Sequence, residues 1–287
     1  MKRMCELGPV SRSGFYRSRG HRPATGRDVG LRDAMQRVAL EFPSYGWPRM
    51  TPELRWRGWA VNHKRVYRIM REDNLLCLRR RKFVRTTDSA HPFPVYPNLA
   101  RRMAVTHLDQ LWVADLTYLR LRVEFVYLAV ILDACSRRVI GWALGRSLEN
   151  DLALEALRRA LEQRRPAPGL VHHSDRGVQY ASRDYTSLLQ AHGITISMSR
   201  KGNPYDNAIA ESFMKTLKYE QVYREDYQDL REACASIPRF LEQVYNEKRL
   251  HSALGYVPPA EFERALAANN DKPKRWKMIY PARRAAR

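Results

Sequence analysis

Three acidic residues lie where a purely structural carboxylate is hard to explain. Asp115 interrupts the apolar stretch "WVADLTYL", where an unpaired carboxylate would be strongly unfavourable. Asp175 follows "HHS" directly before Gly177, at what we expect to be the carboxyl end of a strand, where α/β sheets bind ligands. Glu211 lies in "NPYDNAIAESFMKTLKYE", which is typical of an amphipathic helix. Carboxylates that converge repel one another unless a hard cation neutralises them.

If these three carboxylates converge on such cations, the chemistry that they predict is metal-dependent cleavage of a phosphodiester. Two Mg²⁺ or Mn²⁺ ions about 4 Å apart would activate a hydroxyl and stabilise the leaving oxygen of a phosphodiester. No Ser, Tyr or Cys nucleophile stands out beside an activating base in the sequence.

The helix that carries Glu211 has one apolar face. Apolar residues recur at every fourth position from Ile209 to Leu217 and are predicted to face a sheet. Glu211 lies about 200° from Ile209 around the helix, so it should point toward a sheet edge or a groove. Lys215 and Lys218 follow one and two turns later and are placed to meet DNA phosphates. The alternative, a solvated stripe of helix pairs worth about 0.2–0.5 kcal/mol each, stays open for Lys215.

The segments around these acids predict an α/β domain with a mixed sheet and flanking helices. Three β-branched and aromatic segments predict consecutive antiparallel strands at 110–119, 124–133 and 137–145. Helix and strand then alternate: helix 149–164, strand 169–174, helix 182–193 and strand 194–198 come before the helix of Glu211.

The front of the chain predicts a basic helix-turn-helix region. Residues 28–42 and 50–76 are typical of helices, interrupted by "PSYGWPRM" and by a turn at Gly58. Val66, Ile69 and Met70 form an apolar stripe at helical spacing. The basic residues of the same segment are candidate DNA contacts: Lys64, Arg65, Arg68 and Arg71.

The charge distribution favours a polyanionic partner. The formal net charge is +21, and residues 1–106 hold 23 Lys and Arg against 8 Asp and Glu. The run "LRRRKFVR" adds Arg79, Arg80, Arg81 and Lys82 as candidate DNA contacts. A membrane is disfavoured, because the longest apolar run, "FVYLAVIL", has eight residues. The four cysteines form no CxxC motif, so we expect a protein of the reducing cytoplasm. Within the cytoplasm we expect it to be associated with the nucleoid.

Composition divides the chain into four parts. We predict a basic helical DNA-binding region at 1–85, a Pro-containing linker at 86–106, a catalytic core at 107–225, and a C-terminal helical extension with a basic tail at 226–287.

Five blocks in order resemble a known family. "WVADLTYL", "HHSDRGVQY" and "GNPYDNAIAESFMKTLK" resemble the three blocks of the DDE transposase and retroviral-integrase superfamily, whose core has the ribonuclease H fold. "SYGWPRMTPEL" with "VNHKRVYRIMRED", and "YNEKRLHSALGYVPPAEFE" after the core, narrow the resemblance to the second-frame catalytic subunit of the insertion-sequence-three family. It covers residues 1 to about 267.

The resemblance implies a site and a reaction. Asp115, Asp175 and Glu211 would be the metal-binding triad for two Mg²⁺ or Mn²⁺ ions, Lys218 would occupy the family's basic position on the DNA, and Asn207 is a further candidate contact. Water would cleave a phosphodiester at an element end, and the freed 3′ hydroxyl would attack another.

The resemblance also implies partners. These are DNA, as element ends and target, and further copies of the chain on that DNA. The chain begins at "MKRMCELGPVSRSGFYR", so an upstream-frame helix-turn-helix and leucine-zipper segment is expected as partner or fusion.

Several residues keep two interpretations. Asp133 either caps a turn or binds metal, and of the adjacent His172 and His173, which should point to opposite faces, His173 is the candidate to support Asp175. For Asn246, Arg249 and His251 the choice is between C-terminal capping on the surface and closing a DNA groove, with Arg249 and His251 as candidate supporting residues.

Two rival functions also remain at this stage. One is a ribonuclease H or junction-resolving nuclease on the same fold, which would hydrolyse phosphodiesters without joining strands. The other is a non-catalytic repressor, in which a buried carboxylate at Asp115 would have no role.

Overall fold

The computed structural model describes residues 28–76, 94–147, 150–200 and 204–268. Its contacts divide the chain into two compact units, residues 1–78 and 79–287, which are described separately. No helix in these ranges is long and apolar enough to span a membrane.

The first unit contains three helices among its described residues: α1 (Val29–Glu41), α2 (Trp47–Trp56) and α3 (His63–Glu72). Helix α2 begins inside "PSYGWPRM", so the predicted interruption is too long by several residues. Pro48 is the reason, because a proline in the first helical turn loses no intrahelical hydrogen bond.

Helix α3 buries the predicted apolar stripe. Val66, Ile69 and Met70 are all fully buried, which confirms the helical spacing. Its start is capped by Asn62, whose side-chain oxygen accepts the Arg65 N–H at 2.8 Å.

The second unit is built on a five-stranded sheet with flanking helices, as predicted. Its strands and helices in chain order are β1 (Leu111–Arg120), β2 (Phe125–Asp133), β3 (Val139–Gly145), α4 (Asn150–Arg164), β4 (Val171–Ser174), α5 (Val178–Ala181), α6 (Arg183–Ala191), β5 (Thr195–Met198), α7 (Ala208–Leu217), α8 (Leu230–Arg239) and α9 (Pro259–Ala268). Short 3₁₀ turns precede β1, α7 and α9, at Ala100–Arg102, Pro204–Asn207 and Ser252–Leu254. Two π-helical segments, Lys218–Val222 and Phe240–Asn246, continue α7 and α8.

The sheet is mixed, which confirms the predicted class. The strand order is β3-β2-β1-β4-β5, with β1–β2 and β2–β3 antiparallel and β1–β4 and β4–β5 parallel. The three leading strands therefore form a meander, and the helical crossovers that follow add β4 and β5 on the other side of β1.

An apolar core lies on each side of the sheet. Alternate residues of β1 enter different cores: Val113 belongs to the core that contains Phe213 of α7, while Trp112 belongs to the core that contains Leu157 of α4. Residues 94–106, the described part of the predicted linker, lie against this unit, where Met103 and Val105 pack on the α7 side.

Strand β1 is longer than its neighbour β4. It pairs with β2 from Trp112 to Arg120 but with β4 only from Leu111 to Val113. The β4 side of β1 is therefore an open edge from Ala114 onward, and Asp115 lies on it.

Asp133 caps a turn and holds the C-terminal region. It is fully buried, with Oδ1 accepting the Cys135 and Ser136 N–H groups at 2.8 Å and Oδ2 accepting the Asp109 N–H at 2.7 Å. The Ser136 hydroxyl in turn donates to Glu263 of α9 at 2.7 Å. These contacts account for Asp133 structurally, in line with the turn-capping interpretation.

The packing of β3 on α4 gives a stability prediction. A Cβ added at Gly141 would lie 2.3 Å from the Ala156 carbonyl oxygen and 2.7 Å from the Ala160 Cβ, and neither backbone can yield locally. We expect Gly141→Ala to lower the free energy of unfolding by about 1–3 kcal/mol, the usual cost of overpacking. Denaturant unfolding measures this, with Gly145→Ala as control because its nearest contact is the movable Leu152 Cδ1 at 3.2 Å. Equal stability of the two variants would contradict the packing.

Candidate active site

Asp115 lies on the open edge of β1. Its backbone is paired with Val130 of β2, and its side chain is half-buried. The carboxylate Oδ1 accepts the N–H of Leu116 at 2.9 Å, a main-chain group beyond the reach of β4. The carboxylate is thereby fixed close to the strand that carries it.

Asp175 comes directly after β4, as predicted. Its Oδ1 accepts the Gly177 N–H at 2.9 Å across the turn into α5. A Cβ at Gly177 would lie only 3.0 Å from that oxygen and 3.1 Å from Gln179 Oε1, so glycine leaves room for the carboxylate.

Glu211 lies in the first turn of α7 and is exposed. The buried side of α7 consists of Ala210, Phe213, Met214 and Leu217. This confirms that Glu211 points away from the core. Ile209, predicted to share the buried face, is only partly buried, because the face is centred on Phe213 and Leu217.

The other two carboxylates affect Asp115 electrostatically. Burial is the largest cause that raises the pKa of Asp115, to about 8, followed by the negative charge of Asp175 and then that of Glu211. The Leu116 N–H and the Lys218 ammonium oppose the rise in the Asp115 pKa. The charge of Asp175 therefore acts more strongly on Asp115 than the charge of Glu211 does.

This donor set fits a hard divalent cation. It offers carboxylate oxygens whose mutual repulsion a cation would relieve. In the described part of the chain, no group of three or more His, Cys, Asp or Glu side chains is arranged so that it could hold a metal ion. Asp115 and Asp175 would provide the first ligands, and Glu211 on α7 would complete the set.

Asn207 connects α7 to β1. It is buried, and its Nδ2 donates to the Ala114 carbonyl oxygen at 3.1 Å. That carbonyl directly precedes Asp115 on the open edge. The predicted contact of Asn207 with DNA stays a prediction, while the structure shows that Asn207 fixes the start of α7 beside Asp115.

Lys215 and Lys218 have different surroundings. Lys215 is exposed, whereas Lys218 begins the π-helical segment and is buried, with its Nζ 4.8 Å from the Tyr118 ring centroid. Burial lowers the pKa of Lys218, and the nearby Asp115 carboxylate raises it. Lys218 therefore approaches the acidic cluster as well as facing an aromatic ring.

The two adjacent histidines contact different groups. His173 holds β4 to β5, with Nδ1 2.8 Å from the Ser197 hydroxyl and Nε2 3.1 Å from that of Ser199. His172 Nε2 lies 3.0 Å from the Tyr185 hydroxyl. Burial lowers the pKa of both, that of His172 to about 3.

Tyr180 is a member of the site that sequence reasoning missed. It is buried, and among the described residues its hydroxyl has no hydrogen-bond partner. Burial raises its pKa, with smaller contributions from the charges of Tyr185, Asp115 and Asp175. The charges of Asp115 and Asp175 thus both affect the Tyr180 hydroxyl, and the signal for it in the sequence is its place five residues after Asp175.

Asn246, Arg249 and His251 of the motif "YNEKRLHSALGY" are buried, so their interpretation as surface residues is wrong. Asn246 pairs with both backbone groups of Val139, at 3.0 and 2.9 Å. Arg249 binds Glu220 through two hydrogen bonds of 2.7 and 2.8 Å. His251 packs edge-on against Tyr245, with ring centroids 4.8 Å apart. Long-range contacts bury these polar residues, which local spacing cannot show.

In the first unit, the predicted DNA contacts on α3 fall into two groups. Arg65 and Arg68 pair with the buried Asp28 at 2.6 and 3.0 Å, while Lys64 and Arg71 are exposed. The remaining candidates lie outside the described residues: Arg79, Arg80, Arg81 and Lys82.

Comparisons with known proteins agree with this arrangement. Two models of the integrase core domain match residues 106–204 and 192–259, and a model of an HTH-like domain matches residues 27–83. The fold and site thus define an integrase-core protein with an HTH-like region. The catalytic core of HTLV-2 integrase in complex with magnesium aligns with 54% of this chain and 96% of its own, at 14% identity and a TM-score of 0.40.

Full-length relatives identify the family. A 31 kDa uncharacterised protein of insertion element IS600 from Shigella sonnei is 40% identical over 268 residues, 90% of this chain and 97% of that protein. Transposase InsF for insertion sequence IS3A from Escherichia coli (strain K12) is 36% identical over 269 residues, 92% of this chain and 93% of that protein. The chain belongs to the IS3 family of transposases.

The raised pKa of Asp115 predicts a pH dependence. Its ordinary pKa is 3.8 and its folded value about 8, so the folded state binds the extra proton, and stability falls as the pH rises from about 4 through about 8. Asp115→Asn imitates the protonated form and should remove this loss. Unfolding of wild type and variant in EDTA across that range measures the difference. Parallel stability curves for the two proteins would contradict it.

Proposed function

We propose that this chain cuts a phosphodiester at each end of a mobile DNA element and joins the freed 3′ hydroxyl to target DNA, with Asp115, Asp175 and Glu211 as the catalytic residues. The observation that carries the proposal is the placement of the three carboxylates: Asp115 lies on the open edge of β1, Asp175 follows the neighbouring strand β4, and Glu211 lies in the first turn of α7, whose start is bonded to Ala114 of β1. Membership of a transposase family and an integrase core support the same reaction.

The three carboxylates would hold two divalent ions, Mg²⁺ or Mn²⁺. Such ions, when bound, activate a hydroxyl and stabilise the leaving oxygen of a phosphodiester. The chain itself orients the carboxylates: the Leu116 and Gly177 N–H groups fix those of Asp115 and Asp175, and Asn207 fixes the helix of Glu211. No side chain of the protein needs to form a covalent bond with the DNA.

DNA contacts follow from exposure and charge. Lys215 lies one turn after Glu211 and is exposed, so it is placed to hold the strand that enters the site. Lys64 and Arg71 of α3 are exposed candidates for the element ends, and Arg65 and Arg68 would first have to leave Asp28 or contact DNA from within that pair. We expect several copies to act together, because two element ends must meet one target.

The test uses a labelled duplex from the DNA that flanks the gene, incubated with protein and Mg²⁺. Cleaved and joined strands are both expected. Asp115→Asn, Asp175→Asn and Glu211→Gln should each reduce both products by about 100-fold or more, the scale for losing a preorganised charged group. The exposed Asp184 of α6 provides the control, since Asp184→Asn should leave both products unchanged.

Two outcomes would count against the proposal. Cleavage without joining would indicate a nuclease on the same fold. Full activity after Asp115→Asn would remove the acidic cluster from the mechanism.

A further inference from the structure

Four aromatic side chains form a group beside Lys218, which we call the aromatic platform: Tyr118 of β1, Phe125 of β2, and Tyr219 and Tyr223 in and after the π-helical segment. The rings of Tyr118 and Phe125 have centroids 6.0 Å apart, and those of Tyr219 and Tyr223 are 5.5 Å apart, both edge-on. Lys218 links the two pairs: its Nζ lies 4.8 Å from the Tyr118 ring centroid, its carbonyl oxygen accepts the Tyr223 N–H at 2.8 Å, and Tyr219 directly follows it in the chain.

Folding alone does not explain the exposure of this group. Phe125 is 52% exposed and Tyr223 is 56% exposed, although the apolar core of the sheet is close by. Val123, in the turn between β1 and β2, is 78% exposed. Exposed apolar residues that lie together on a surface can mark a binding site.

The charges beside the platform favour a nucleic acid. The Lys218 ammonium lies 4.8 Å from the Tyr118 ring centroid, Lys215 is exposed one turn earlier, and Arg120 is exposed at the end of β1. Cations beside exposed aromatic side chains match a phosphate beside a nucleobase. A second copy of this strongly basic chain would bring like charge to the same place.

The position of the platform also connects it to the acidic cluster. Lys218 contacts Tyr118 of the platform and is close enough to Asp115 to be affected by its charge. A DNA strand that places a phosphodiester at Asp115 and Asp175 therefore passes within reach of these rings.

Bases inside a duplex have both faces covered by their neighbours. An aromatic side chain can therefore stack only on a base that has left the duplex or ends it. We propose that the aromatic platform stacks an unpaired nucleobase of the DNA strand next to the scissile phosphate. The identity of the strand rests on the proposed function, but the recognition itself needs only an open base face beside a phosphate.

Binding without cleavage tests the platform, in EDTA and with the full chain. The probes are element-end duplexes with three unpaired nucleotides at the end, each carrying 5-iododeoxyuridine at one position, and the same duplexes fully paired. On irradiation we expect cross-links from unpaired positions only. Trypsin should release them on the fragment 219–224, which contains both Tyr219 and Tyr223, or on the fragment that ends at Arg120 and contains Tyr118.

Substitution of Tyr223 gives the energetic counterpart. Tyr223→Ala should weaken binding of the unpaired end by about 5- to 150-fold, the scale for loss of one base stack, and leave the paired duplex unchanged. Tyr223→Phe retains the ring and should bind like wild type. Equal cross-linking of paired and unpaired DNA, or unchanged affinity of Tyr223→Ala, would overturn the proposal. So would loss of self-association by Tyr223→Ala without an effect on DNA.

These outcomes are separate from those of the transposition assay. If the protein cross-links as expected but neither cuts nor joins DNA, the aromatic platform is supported and the proposed reaction is contradicted. If the protein cuts and joins DNA without cross-linking at these tyrosines, the proposed reaction is supported and the aromatic platform is contradicted.

Discussion

The candidate site depends on one mismatch in the sheet, the end of β1–β4 pairing at Val113 while β1 continues to Arg120. Beyond that point the main chain of β1 needs other partners, since an unsatisfied buried polar group costs about 1–3 kcal/mol. The Asn207 amide binds the Ala114 carbonyl, and the Asp115 carboxylate binds the Leu116 N–H. The groups that satisfy the edge are thus the groups that bring α7 and Asp115 together.

The C-terminal region supports the other end of α7. Arg249 is buried and forms an ion pair with Glu220 of the π-helical segment. The Asn246 side chain forms hydrogen bonds with the backbone of Val139, the first residue of β3. Removing one partner of a buried ion pair typically costs about 3–5 kcal/mol. The pair of Arg249 and Glu220 therefore holds the π-helical segment that begins at Lys218 firmly in place. The helix that carries Glu211 and the segment that carries Lys218 are consequently fixed from both the sheet and the C-terminal extension.

Sequence reasoning predicted the parts of this arrangement that depend on local pattern. The three leading strands, the mixed sheet and the outward direction of Glu211 all follow from alternation and helical spacing, and the structure confirms them. The apolar surroundings of Asp115 and the strand-end position of Asp175 were sufficient to select both acids as candidates.

What the sequence could not show depends on contacts between distant segments or on irregular backbone. The Asn207 bond to Ala114 and the Arg249 pair with Glu220 join residues far apart in the chain. Helical spacing also treats the chain as α-helical past Leu217, whereas a π-helical segment begins at Lys218, with the Tyr223 N–H bonded to the Lys218 carbonyl at 2.8 Å. The wider turn redirects the side chains that follow Lys218, so the position of Tyr223 lies outside a 3.6-residue pattern, whereas the burial of Lys218 four residues after Met214 agrees with that pattern.

The central claim is that the open edge of β1 holds a divalent cation between Asp115 and Asp175. Crystals soaked in Mn²⁺, with anomalous diffraction recorded at the manganese edge, test it most directly. The account predicts an ion bound by oxygens of both Asp115 and Asp175 in wild type, and its loss in Asp115→Asn. An ion that avoids these carboxylates at saturating Mn²⁺, or one that persists in Asp115→Asn, would contradict it.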